Sequence, residues 1–284
     1  MPVYNGMEFI EQALAALSKQ TYANFVLLVS DNQSTDGTWN LLRARAVRDQ
    51  RIVLHRQEQN IGAVANFRYV LDKAETEYFM WHAHDDYLAP NYLEELVNII
   101  TTDPECALAC GTVRRVEPDG TPRRKTLPPF PDLPARSRLG RVTRLLRCAQ
   151  GSWVYGLFRT EALRRAQATA EEFGYTWASD RLTLLPFILN DRIRGTDRTV
   201  FYSTRTETSS QTYRPNTLAE QIRFSRRYLR LHVRVFRDSE LSLSEKLRCW
   251  PALLGHAFRT QGMLNYKHLV KRPVKRLVKN LAVG

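Results

Sequence analysis

An α/β fold, with a mostly parallel sheet flanked by helices, is the architecture that this 284-residue sequence predicts. Three observations lead there. Strand-like apolar runs alternate with helix-like segments over the first hundred residues, the pattern of a parallel sheet covered on both faces. Hydrophobic residues make up 43% and charged residues 25%, which suits a globular chain and excludes a disordered or fibrous one. No window approaches about eighteen uncharged apolar residues, so no helix is expected to span a membrane.

The elements follow in order. Phe25-Val26-Leu27-Leu28-Val29 is a short apolar run, as in a strand buried on both faces. Asp36-Gly37-Thr38 opens a helical stretch to about Arg48, with Asp36 or Thr35 as candidate N-cap. Arg51 to Leu54 reads as the next strand. Gly62 to Ala74 reads as a helix with Val64, Phe67, Val70 and Leu71 on one face. Glu77 to Trp81 is a third strand, and Asn91 to Thr101 a further helix with Pro90 at its start. Residues 118–140 hold six of the thirteen prolines and read as a long loop or insertion, a length that is often functional. From Arg159 the pattern is helical, Ile193 to Tyr202 forms one or two strands, and residues 217–263 are helical and basic. Tyr266 to Leu281 carries a seven-residue apolar stripe interleaved with lysine and arginine.

Charge is unevenly spread. The net charge of +13 resolves into −5 for residues 1–100, +6 for 101–220 and +12 for 221–284. Such a basic end suits an anionic membrane face or a polyanionic substrate. Zinc-finger spacing, RNA-binding aromatics and a leucine zipper are all missing, so nucleic acid is not an expected partner. The N-terminal residues have neither a basic n-region nor an apolar h-region, so no signal peptide is expected. Four cysteines are too few for a disulfide scaffold, which favours a reduced, cytoplasmic compartment.

Three polar clusters carry the chemistry. The first joins Pro2-Val3-Tyr4-Asn5 to the stretch from Val29 through Asp31 to Thr38. Asp31 ends a strand just before a helix, where a carboxylate can accept hydrogen bonds from a base or ribose. Its bland alternative is a polar turn with a cap. The second is Trp81-His82-Ala83-His84-Asp85-Asp86, after a buried strand. Adjacent carboxylates suit a divalent cation; hard oxygens favour magnesium or manganese, and imidazoles shift the balance toward zinc. Two capping aspartates before Pro90 are the alternative. The third is Tyr175 to Leu182, where Asp180 is a helix N-cap, a general base at a helix start, or both.

Together these clusters resemble family 2 glycosyltransferases of the GT-A fold over roughly residues 1–205. The matching pieces are Pro2 to Asn5, Gln20 to Phe25, Asp31 to Thr38, Asn60-Ile61-Gly62, Ala83 to Asp86, Gly151 to Arg159, and Ser179-Asp180. Three departures stand out. The apolar first strand that normally precedes Pro-Val-Tyr-Asn is cut short at Met1, Ala83 stands where the metal motif usually begins with aspartate, and Ser179 stands where glutamate is common.

The resemblance implies a GT-A type, Rossmann-like sheet with a helical basic C-terminal extension and a truncated first strand. It implies a nucleotide-sugar-binding half over residues 1–110, an acceptor and catalytic-base half over 111–215, and the extension over 216–284. The activity implied is inverting transfer of a sugar from a UDP, dTDP or GDP sugar to the hydroxyl of a saccharide or lipid-linked acceptor, in cell-surface polysaccharide or glycolipid synthesis. Val3, Tyr4, Asn5, Asp31, Asn60 and Gly62 would hold the base and ribose, and Arg214 a phosphate. Asp85 and Asp86 would hold Mg2+ or Mn2+, and Asp180 would be the base. The enzyme would sit in the cytoplasm, peripherally on the inner face of the plasma membrane through its basic end. Two alternatives remain at this point. One is a catalytically degenerate nucleotide-sugar-binding protein. The other is a zinc hydrolase using His82, His84 and Asp86, whose spacing resembles the start of the metallo-β-lactamase motif.

Overall fold

A computed structural model describes residues 1–124, 126–131, 133, 137–205 and 213–261 of the chain. It is an α/β structure with a parallel sheet and flanking helices. The parallel part is a three-stranded sheet in the order β1-β2-β3, formed by Pro2–Val3, Leu27–Asp31 and Ile52–Arg56. Helices α1 (Ile10–Ser18), α2 (Thr38–Ala46) and α3 (Ala63–Asp72) follow these strands in turn. β1 is indeed only two residues long, yet Pro2 and Val3 pair with Ser30 and Asp31. The amide of Ser30 donates to the Met1 carbonyl at 2.9 Å and that of Asn32 to the Val3 carbonyl at 2.8 Å.

The second sheet departs from the expected, mostly parallel one. Its order is β4-β7-β6-β8-β5, with β4 Tyr78–Phe79, β5 Tyr87–Leu88, β6 Leu108–Val116, β7 Leu157–Arg159 and β8 Ile193–Thr204. Only β6 and β8 run parallel; β4–β7, β6–β7 and β5–β8 are antiparallel. The physical reason is length. β4, β5 and β7 are two or three residues each and flank the long β6–β8 ladder, with β4 and β5 at the edges. The third expected strand, Glu77 to Trp81, shrinks to Tyr78–Phe79. Trp81 turns inward, where its indole donates to the Phe67 carbonyl at 3.1 Å.

Local chemistry sets the helix starts. Residue 37 at the head of α2 has φ of 92°, a left-handed conformation that only glycine adopts freely, so Gly37 rather than Asp36 or Thr35 flanks the helix. Asp36 still caps it, accepting from the Thr38 amide at 3.1 Å. α4 (Tyr92–Thr102) packs on β6 and β8, and α5 (Arg138–Cys148) begins at Ser137, whose hydroxyl accepts from Gly140 N. A short 3-10 helix, Gly151–Tyr155, leads into β7; α6 (Thr160–Phe173) and α7 (Ser179–Leu189) follow. The basic region folds as α8 (Leu218–Arg237) and α9 (Leu243–Gln261). A capping box starts α8: Thr217 Oγ1 accepts from Glu220 N and the Glu220 carboxylate accepts from Thr217 N, both at 3.2 Å. The expected segment from Tyr266 to Leu281 lies outside the described residues.

One apolar cluster runs from Met1 to Leu253. The boundary expected near residue 110 falls inside β6, so both halves share this core. Of the described residues, no helix is long and apolar enough to cross a membrane.

Candidate functional site

Asp31 closes β2 with its carboxylate fully buried. Oδ2 accepts from Ser34 N at 3.2 Å and lies 3.3 Å from the Arg56 guanidinium. Oδ1 is buried with no partner among the described residues. A buried carboxylate oxygen without a donor is costly, so this atom is suited to receive one from a ligand. Arg56 was not legible as a site residue, because its proximity to Asp31 comes from the β2–β3 register, in which the two pair.

The expected base-binding residues surround Asp31. Val3 is its β-partner and is buried, whereas Tyr4 is exposed. Asn5 takes a left-handed turn, and its side chain accepts from Thr35 N at 2.9 Å, tying the first loop to the second. Asn32 carries the order onward: it donates to Asn60 Oδ1 at 2.9 Å and accepts from Ile61 N at 2.8 Å. Gly62, with φ of 82°, donates to Asn60 Oδ1 at 2.9 Å. Gly62 also lines a groove with Val64, Arg68, Thr176 and Tyr213, which brings the donor-side turn near the segment before α7. Arg214 packs its guanidinium over Trp177 at 5.5 Å, and its Nε is buried without a hydrogen-bond partner among the described residues.

Asp85 and Asp86 lie in the turn before β5. Asp86 is buried, and its Oδ1 accepts from Thr204 N, at the end of β8, at 2.8 Å. Burial, then the neighbouring Asp85 charge, pushes the Asp86 carboxyl well above its ordinary range. Two adjacent carboxylates form a site that a hard divalent ion fits, by charge and by donor chemistry. Among the described residues no group of three or more His, Cys, Asp and Glu could hold a metal, so other ligands would have to complete the shell.

The two histidines do not form a zinc set with Asp86. His82 is buried with Nδ1 on the Ala83 carbonyl at 2.6 Å, and burial lowers its pKa to about 3. His84 lies against Gly6, where an added Cβ would stand 2.6 Å from the ring; it faces Asp85 and Asp36.

Asp180 sits in the first turn of α7. The preceding Ala178 holds φ of 67°, a strained conformation for a residue with a Cβ. Asp180 Oδ1 accepts from Arg181 N at 2.8 Å. Burial raises the Asp180 pKa, against the pull of Arg181 and the backbone amides.

Tyr155 links the clusters. Its ring stacks on Phe201 of β8 at 5.1 Å, and its phenol is pushed well up by burial and by the charges of Asp86, Asp85 and Asp180 together. Both carboxylate clusters are therefore close enough to act electrostatically on one phenol. Tyr155 belongs to the Gly151 to Arg159 segment, but no local pattern marked it.

A sequence model described as glycosyl transferase family 2 matches residues 1–169. A Rickettsia felis protein described as an uncharacterized glycosyltransferase is 32% identical over 100 residues, which is 35% of this chain and 16% of that protein. TuaG of Bacillus subtilis, a putative teichuronic acid biosynthesis glycosyltransferase, is 27% identical over 121 residues, 43% of this chain and 48% of TuaG. The chain thus covers less than half the length of these curated relatives. Among solved structures, S. aureus TarS residues 1–349 in complex with UDP-GlcNAc matches with a TM-score of 0.67 at 20% identity, over 91% of this chain and 71% of that one. Mannosyltransferase PcManGT from Pyrobaculum calidifontis, in complex with GDP-Man and Mn2+, matches with a TM-score of 0.54 at 18% identity, over 99% and 78%. These structural matches show the GT-A fold.

Proposed function

The chain belongs to glycosyltransferase family 2, and from that premise we propose that it transfers a sugar from a nucleotide diphosphate sugar to an acceptor hydroxyl with inversion at the anomeric carbon. The observation that supports this reading is that the charges of Asp86, Asp85 and Asp180 all reach the Tyr155 phenol. A candidate diphosphate-side pair and a candidate base then lie within electrostatic reach of one side chain, as a direct displacement requires.

Asp180 is the base. Its raised pKa makes it a better proton acceptor than an ordinary aspartate. The acceptor oxygen bonds to the anomeric carbon as the bond from that carbon to the diphosphate oxygen breaks, and the hydroxyl proton passes to Asp180. Val3, Tyr4, Asn5, Asn60 and Gly62 frame the base and ribose, with the unpartnered Asp31 Oδ1 taking a donor from them. Arg214 serves as a phosphate contact near Trp177. Asp85 and Asp86 would hold Mg2+ or Mn2+, which when bound would supply positive charge against the leaving diphosphate. The Mn2+ complex of PcManGT supports such an ion. We place the acceptor among cell-surface polysaccharides or glycolipids, which the description of TuaG supports.

We place the enzyme in the cytoplasm, on the inner face of the plasma membrane. The residues on which that attachment first rested, 267–284, lie outside the described ones. The described helices supply separate support. Leu218, Ile222 and Val233 of the arginine-rich α8, and Leu243, Leu247, Trp250 and Phe258 of α9, are exposed apolar side chains. Apolar insertion and cationic attraction to anionic lipid then act together. Sedimentation with phosphatidylglycerol vesicles at low salt tests this; no binding beyond that to phosphatidylcholine overturns it.

A donor screen by thermal shift with manganese tests the activity. A donor at 100 times its dissociation constant stabilises the fold by about 2.7 kcal/mol. The manganese-dependent part of that shift should vanish in Asp85→Ala. If no nucleotide diphosphate sugar stabilises the wild type, the proposed transfer is wrong.

A further inference from the structure

The 3-10 helix that begins at Gly151 is clamped from two sides. On one side Cys110 of β6 donates through Sγ to the Trp153 carbonyl at 3.9 Å. On the other, Phe130 of the proline-rich loop packs its ring on Trp153, with centroids 5.1 Å apart. Phe130 also covers Gly195 of β8, where an added Cβ would stand 2.5 Å from the ring. Gly195 pairs with Cys110 in the β6–β8 ladder, so Phe130 is seated on the same strands that hold the helix. Phe130 and Trp153 are both buried.

Gln150 fastens the clamp at the helix start. It is the N-cap residue, with extended backbone, yet its side chain makes no capping bond to its own helix. Instead Nε2 donates to the Pro128 carbonyl at 3.0 Å, 22 residues back in the chain. Gln150 is buried, and its Oε1 has no hydrogen-bond partner among the described residues. A buried amide that leaves its acceptor unpaired costs stability. Stability alone favours a residue here that caps the helix.

The next residue is Gly151, and the Asp180 carboxylate lies where Gly151 has no side chain. Whatever shifts the first turn of the 3-10 helix therefore shifts the surface on which the candidate base rests. A displacement of about 1 Å at a reacting group is enough to cost roughly 100-fold in rate.

We propose that Gln150 is a positioning residue for Asp180: its bond to Pro128, together with Phe130 on Trp153, fixes the 3-10 helix where it aims the carboxylate at the acceptor hydroxyl. This rests on the transferase reading and adds to it a residue that acts only through Asp180.

Gln150→Met tests the assignment, because it keeps the side-chain length and removes the amide. Pro128 is exposed, so water takes over its carbonyl and the fold should survive. Carbon-13 labelling of the aspartate carboxyl groups reports the carboxylate directly, the Asp180 signal being the one missing from Asp180→Asn. In Gln150→Met that signal should move, and its titration midpoint should shift by about half a pH unit or more. Hydrolysis of a panel of UDP, dTDP and GDP sugars with Mn2+ gives the second readout. For any donor that the wild type hydrolyses, kcat should fall by about 10-fold or more in Gln150→Met, with the donor KM unchanged. In the Asp180→Asn background the same substitution should cost nothing further. If Gln150→Met does not fold, Phe130→Leu, which withdraws the ring from Trp153, is judged by the same signal. An unchanged Asp180 signal in a folded variant overturns the proposal, and so does a loss of kcat that is repeated in full without Asp180. If the wild type neither binds nor hydrolyses any donor, the transferase reading falls instead, and the Asp180 signal still decides whether Gln150 places the carboxylate.

Discussion

The Asp180 carboxylate fills the space where Gly151 lacks a side chain: a Cβ built on Gly151 would overlap Asp180 Oδ2 and stand 2.9 Å from its Cγ. The 3-10 helix and the start of α7 meet through this contact. Gly151→Ala should move the carboxylate rather than unfold the protein, because the displaced atoms are the end of a short side chain. Transfer should fall by about 100-fold or more, as for loss of a general base, while the melting temperature changes little. Near-normal turnover in this variant would show that the carboxylate position is not critical.

Asp180→Asn removes the proton acceptor and keeps the shape. Transfer should drop by roughly 10²–10⁴ with donor affinity nearly unchanged. The wild-type kcat should rise with pH through an apparent pKa above the ordinary aspartate value of 3.8, because burial raises it. An Asn variant that keeps that ascending limb and near-wild-type turnover would place the base elsewhere.

Asp31→Asn should weaken donor binding. Oδ1 is the unpartnered buried atom, and a charge-assisted hydrogen bond is worth about 1.5–3 kcal/mol, or roughly 10- to 150-fold in Kd. Titration with a nucleoside diphosphate reads this directly. Equal affinity in variant and wild type would remove Asp31 from the donor site.

Acid should destabilise the fold through its buried imidazoles. Burial lowers His82 to about 3 and His232 to about 4, from an ordinary 6.5, and lowers His256 as well. Between pH 6.5 and these values the unfolded chain binds protons that the folded chain refuses. Stability is therefore full above 6.5 and falls as pH falls. From pH 7 to pH 5 each such histidine costs about 2 kcal/mol. Urea unfolding of wild type and His232→Gln at both pH values isolates one of them. The variant should lose less stability on acidification, and identical losses would exclude His232 as a contributor.

Much of the site was legible because its chemistry is local. Asp31 closes a strand and Asp85-Asp86 precede a β-edge, as their positions in the sequence suggest, whereas Ala178 rather than Asp180 is the N-cap of α7 and Asp180 lies in its first turn. Gly62 has the backbone conformation that its turn needs. Strand direction in the second sheet was not legible. Tyr78–Phe79 and Leu157–Arg159 are too short to carry a period, and only tertiary pairing fixes their sense. Arg56 beside Asp31 and Thr204 against Asp86 are meetings of distant residues. No window of sequence contains both partners, so neither periodicity nor spacing can announce them.

The bond from Thr204 N to Asp86 Oδ1 sets a timetable for the growing chain. It spans 118 residues, and β5 has its strand partner in β8. At about 5–20 residues per second, on the order of ten seconds separate synthesis of the two ends. The three-stranded parallel sheet draws on residues 2–56 alone and can pair long before that. The nascent chain therefore holds its three-stranded parallel sheet first and gains an anchored Asp86 only after β8 has left the ribosome. A ribosome stalled between residues 110 and 190 would display Asp86 without the amide that anchors it.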